Sequence, residues 1–79
     1  MSGGPFRPAP GDSLEAIRRA AFGGEAQSQY ELAECLRRGL LRAPVDEAQA
    51  LVWYRKAAAA GHRTAAFVLN NWRNRAHFE

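Results

Sequence analysis

Apolar residues along this chain recur three and four positions apart, and glycine or proline interrupts them at intervals. That spacing gathers them on one side of a helix, whereas a strand would alternate them. Leu14, Ile17, Ala20 and Ala21 mark a first helix from Ser13 to Phe22, with Asp12 or Ser13 as its N-cap and Glu15 in its first turn. Gly23-Gly24 stops it. A second helix starts near Glu25 and ends at Gly39, and Leu40 to Val45 forms a link, because Pro44 cannot lie inside a helix. Asp46 caps a third helix, which continues through Trp53 to Ala60 and stops at Gly61; a fourth covers His62 to Ala76. On the fourth, Ala65, Val68, Leu69, Trp72 and Ala76 form one apolar stripe, and Phe67 and Phe78 fall nearly opposite it. No alternating run and no Asn-Gly or Asp-Gly hairpin signal occurs, so the fold class is all-α.

The helices also repeat one another. Gly61 lies 37 positions after Gly24, and the same shift lays Ala57, Ala58, Phe67 and Leu69 onto Ala20, Ala21, Tyr30 and Leu32. Self-similarity at such a period marks stacked supersecondary units. Helix 1 corresponds to helix 3 and helix 2 to helix 4, so residues 12–79 read as half-repeat, full repeat and a capping half-repeat. Short connections make neighbours antiparallel, and the result is a four-helix slice of an α-solenoid. Residues 1–11 are rich in glycine and proline and read as a flexible, disordered tail; the PxxP spacing of Pro5 and Pro8 carries little information by itself.

Size and composition limit what such a slice can do. A chain of 79 residues buries only about 60% of its unfolded surface, and much of its apolar share is alanine, which buries little area. A thin core points to dependence on a neighbour. The net charge of +3, carried by ten arginines and one lysine among the basic residues, falls short of the clustering of a dedicated nucleic-acid binder. Cys35 is the single cysteine, which rules out an intramolecular disulfide and fits a cytoplasmic location. The sequence holds no apolar run of signal-peptide or membrane-spanning character, so no membrane association is expected.

One block of residues is specific enough to suggest a family. Gly24 is followed by Ser28-Gln29-Tyr30-Glu31-Leu32-Ala33, Leu36 and Gly39. Asp46, Gln49-Ala50, Trp53-Tyr54, Lys56-Ala57-Ala58, Gly61 and His62 come next, and Ala65-Ala66-Phe67-Val68-Leu69 opens another copy. This succession resembles the Sel1-like repeat, a relative of the tetratricopeptide repeat. There are departures: Leu36 stands where a tyrosine belongs, Leu41 replaces a loop glycine, and Arg73 and Ala76 take the tyrosine and glycine positions of the last copy. The resemblance implies an adaptor or scaffold of the sort that serves bacterial signalling, envelope assembly and host–bacterium contact, with no catalysis of its own. It assigns Tyr30, Leu32, Leu36, Ala50, Trp53, Tyr54, Ala57 and Leu69 to the repeat core and Gly24, Gly39 and Gly61 to its turns.

Other residues bear on chemistry. Cys35, His62 and His77 show neither metal-ligand spacing nor a shared helical face, so no metal, cofactor or catalytic site is expected, and Cys35 reads as a small core residue. Arg18-Arg19, Arg37-Arg38 and Arg55-Lys56 each precede a glycine stop, where cations offset the negative end of the helix dipole. The alternative function, contact with RNA or DNA, would use Arg63, Arg73 and Arg75 of the last helix. Phe67 and Phe78, with Arg63, Asn70 and Asn74 around them, form an aromatic patch with a polar rim, the composition of a protein-binding surface for a partner or a second copy. The competing expectation is that Phe67 packs on helix 3, as its counterpart Tyr30 packs in the earlier copy.

Overall fold

A computed structural model describes the backbone of residues 13–78 and the side chains of residues 13–72. The described residues form α1 (Leu14–Phe22), α2 (Ala26–Arg38), α3 (Glu47–Ala59) and α4 (Arg63–Phe78), with a 3-10 turn over Leu40–Arg42 and no strand. The expected tail, residues 1–11, lies outside the described residues.

Local chemistry accounts for the helix ends. Ser13 Oγ accepts the Ala16 N–H at 3.1 Å, and Asp46 Oδ1 accepts the Gln49 N–H at 3.1 Å; both side chains satisfy a donor that the first helical turn leaves without a partner. The turns after α1 and α3 are copies of each other. Gly24 and Gly61 sit at φ +98° and +95°, where a side chain would be strained. The Gly24 N–H donates to Ala21 O (3.0 Å) and the Glu25 N–H to Ala20 O (3.2 Å). At the other turn Gly61 donates to Ala58 O (3.0 Å) and His62 to Ala57 O (3.0 Å). The 37-residue shift in the sequence is thus a shift in hydrogen bonding as well.

The link between α2 and α3 departs from the plain loop that Pro44 implied. Gly39, at φ +71°, leads into the 3-10 turn, and the Asp46 N–H closes the loop on Leu36 O at 2.8 Å. Leu41 takes a left-handed backbone (φ +54°) although it has replaced the pattern's glycine, and Arg42 does the same at +65°. Each such residue costs roughly 1–2 kcal/mol.

The helices pack in chain order, α1 on α2, α2 on α3 and α3 on α4. Helix α2 is sandwiched and therefore buried nearly all round, with even Ser28, Gln29 and Glu34 out of solvent. Of the residues assigned to the core by pattern, Tyr30, Leu32, Leu36 and Ala50 are buried, as are Trp53, Tyr54 and Ala57. Leu69 is half-buried, at the open flank between α3 and α4. Cys35 is fully buried at the α2 position matched by the half-buried Trp72 in α4.

Candidate functional site

The centre of the stack holds a charged side chain. Glu34, on the face of α2 toward α3, is 1% exposed. It accepts a very short hydrogen bond from the Tyr54 hydroxyl, one from Arg38 Nη1 at 2.9 Å and a longer one from Arg37 Nη2 at 3.4 Å. Arg37 also lies 5.9 Å over the Tyr54 ring. Burial, followed by the bond to Glu34, pushes the Tyr54 phenol far above its ordinary value near 10. A buried carboxylate is costly unless its oxygens are well partnered, and here the partners come from two helices in one register. Arg37 and Arg38, expected from sequence to serve the helix dipole, have this specific partner as well. Glu34 escaped sequence reasoning, although arginines at both i+3 and i+4 were a legible signal.

A second polar node joins α2 to the start of α4. His62 Nδ1 accepts the Ala65 N–H at 3.1 Å, which makes the imidazole the N-cap of α4, and Nε2 meets Gln27 Oε1 at 2.7 Å. Gln27 in turn donates from Nε2 to Glu31 at 2.9 Å. These partners require a neutral ring carrying its proton on Nε2. The ring stacks on Tyr30, with centroids 4.6 Å apart and planes 18° from parallel. Burial lowers the imidazole below its ordinary value of 6.5, against an opposing pull from Glu31.

The outer face of α4 lacks this cover. Tyr30 is 5% exposed because Tyr54, with its ring 6.0 Å away, and His62 close over it. Its counterpart Phe67 is 64% exposed, so the expectation that Phe67 packs on α3 does not hold. Arg63 and Asn70 are exposed beside it, whereas the side chains of Asn74 and Phe78, and those of Arg73 and Arg75, lie outside the described residues. On the flank between α3 and α4 runs an open groove of about 540 Å³, floored by Leu51, Ala58, Leu69 and Trp72 and edged by Arg55 and Asn70. At the corresponding place between α1 and α2, Gln29 Nε2 donates to Ala21 O at 3.2 Å; its counterpart on α4 is Ala66, which lines the groove.

The remaining basic residues are partly engaged. Arg19 pairs with Glu15 at 3.4 Å, and Lys56 Nζ lies 5.6 Å over the Trp53 ring. Among the described residues no group of three or more His, Cys, Asp or Glu side chains converges as a metal site, and no helix is long and apolar enough to cross a membrane.

Comparison with known families agrees with this architecture. The Sel1 repeat model matches residues 26–62, which run from the start of α2 through α3 to the cap of α4. No solved structure gives a significant match to the chain.

Proposed function

Residues 26–62 are a Sel1 repeat, and from that premise we propose that the chain is a non-catalytic adaptor that binds a protein partner through the outer face of α4. Sel1 repeats generally mediate protein–protein interaction. The observation that carries the choice of face is the contrast between Phe67, 64% exposed, and its buried counterpart Tyr30. An aromatic ring displayed between Arg63 and Asn70 has the make-up of an interface hot spot, an apolar anchor with a polar rim. Asn74 and Phe78 follow on the same helical face by sequence and would extend the patch.

Affinity capture from the native cell with the whole chain as bait, run beside Phe67→Ser and Phe78→Ala, tests this. Because Phe67 is exposed, its replacement should leave the melting temperature unchanged while partner binding falls by about tenfold or more. The reading is wrong if both variants retain the same partners at wild-type affinity, or lose them only by unfolding.

A further inference from the structure

We infer that the outer face of α4 receives α1 of a second copy, so that molecules stack head to tail in the register of the internal repeat; this rests on the reading of that face as a docking surface. The chain contains its own template for the joint. Helix α3 covers α2, and α1 is the counterpart of α3 at a shift of 37 residues, as α4 is of α2. The kind of helix that closes over Tyr30 is therefore one that the molecule also carries at α1.

Shape is the first argument. Helix α3 turns Leu51 and Ala58 toward α4, and its other flank, Ala50, Trp53 and Ala57, is buried. The counterparts of that flank on α1 are Ser13, Ala16 and Ala20, of which the first two are exposed and the third is half-buried. A flank of small side chains left open on α1 thus answers a large ring left open on α4.

Chemistry is the second argument, because three of the four partners in the buried polar set have changed together. The set of Tyr54, Glu34, Arg37 and Arg38 at the α2–α3 joint corresponds to Ile17, Asn71, Asn74 and Arg75 at the proposed one. Ile17 offers no hydroxyl, so a carboxylate at position 71 would lose its partner from the facing helix and keep only an arginine four residues on; the neutral amide of Asn71 carries no buried charge that needs one. The bond from His62 to Gln27 corresponds to the pair Glu25 and Thr64 with donor and acceptor exchanged: the Thr64 hydroxyl would donate to the Glu25 carboxylate, which also accepts from Ser28 Oγ at 2.9 Å. Such contacts are heterologous, so each added copy presents the same open face.

Sedimentation velocity and light scattering over a dilution series up to about 1 mM test the joint. The wild-type mass should rise with concentration past that of a dimer. Phe67→Glu and Ala16→Glu should each weaken association by at least about tenfold. Neither should disturb the fold, since Phe67 is exposed and position 16 is the N3 site of a Ser-capped helix, where Glu is favoured. An equimolar mixture of the two variants should form a 1:1 complex that grows no further, because each retains one intact end. A wild-type chain that stays monomeric throughout overturns the inference. So does a pair in which Ala16→Glu still dimerises, Phe67→Glu does not, and the mixture forms no complex between the two variants, which is the signature of a symmetric dimer. If the chain is monomeric yet Phe67→Glu loses a captured partner, the stacking fails and the docking reading stands; if Phe67→Glu changes neither, both fail.

Discussion

Tyr54→Phe deletes one oxygen, and the structure allows its cost to be worked out. Glu34 Oε2 would keep only the 3.4 Å contact from Arg37, at a site 1% exposed, where bulk water cannot replace the hydroxyl. A hydrogen bond to a charged group contributes roughly 1.5–3 kcal/mol, so a loss of about 2 kcal/mol is expected. For a small domain with stability on the order of 5 kcal/mol that is a large fraction, and it corresponds to a fall in melting temperature of roughly 8–16 °C. Urea and thermal unfolding followed by far-UV circular dichroism measure it. A double-mutant cycle with Glu34→Gln isolates the pair, with an expected coupling of at least about 1 kcal/mol. The pH dependence supplies an independent check. Because the fold favours the neutral phenol, the Tyr54 contribution is complete below pH 10.0 and declines as pH rises above it, and Tyr54→Phe should lack that component of the decline. A loss under about 0.5 kcal/mol, or losses that simply add in the cycle, would refute the view that this bond holds α3 in register on α2.

Three further outcomes are expected. His62 has a lowered folded-state value, so its contribution is complete above the ordinary 6.5 and lost as pH falls through it, levelling off below the folded value; His62→Asn, which can still cap α4, should lose less stability between neutral and mildly acidic pH than the wild type does. Arg42 is exposed and held at φ +65°, so Arg42→Gly should raise stability by about 1 kcal/mol, and an unchanged or lower melting temperature would contradict the assignment of strain. Cys35 is fully buried, so its thiol should resist a thiol reagent until the protein unfolds, and Cys35→Ser should cost about 1–3 kcal/mol with partner binding intact in the folded fraction; loss of a chemical activity in a folded Cys35→Ser protein would contradict the non-enzyme reading.

The sequence alone determined where the helices lie, because their ends depend on local chemistry: Ser13 and Asp46 as caps, Gly24 and Gly61 as left-handed stops, Pro44 as a breaker. It also carried the 37-residue self-similarity, and with it the resemblance to the Sel1 repeat that residues 26–62 match. What sequence periodicity could not reveal was burial on a sandwiched helix. An amphipathic pattern shows which face is apolar, but α2 is covered on two sides, so polar residues such as Gln29 and Glu34 are buried as well, and only the residues opposite them make that tolerable. His62 carried no cap signal in its residue type, and its role follows from meeting Gln27 across 35 positions of chain. Tyr30 and Phe67 make the same point most simply. They occupy equivalent positions in equivalent helices, yet one is buried and the other displayed, because burial depends on whether a following helix lies over the ring, and a residue's local sequence carries no record of that.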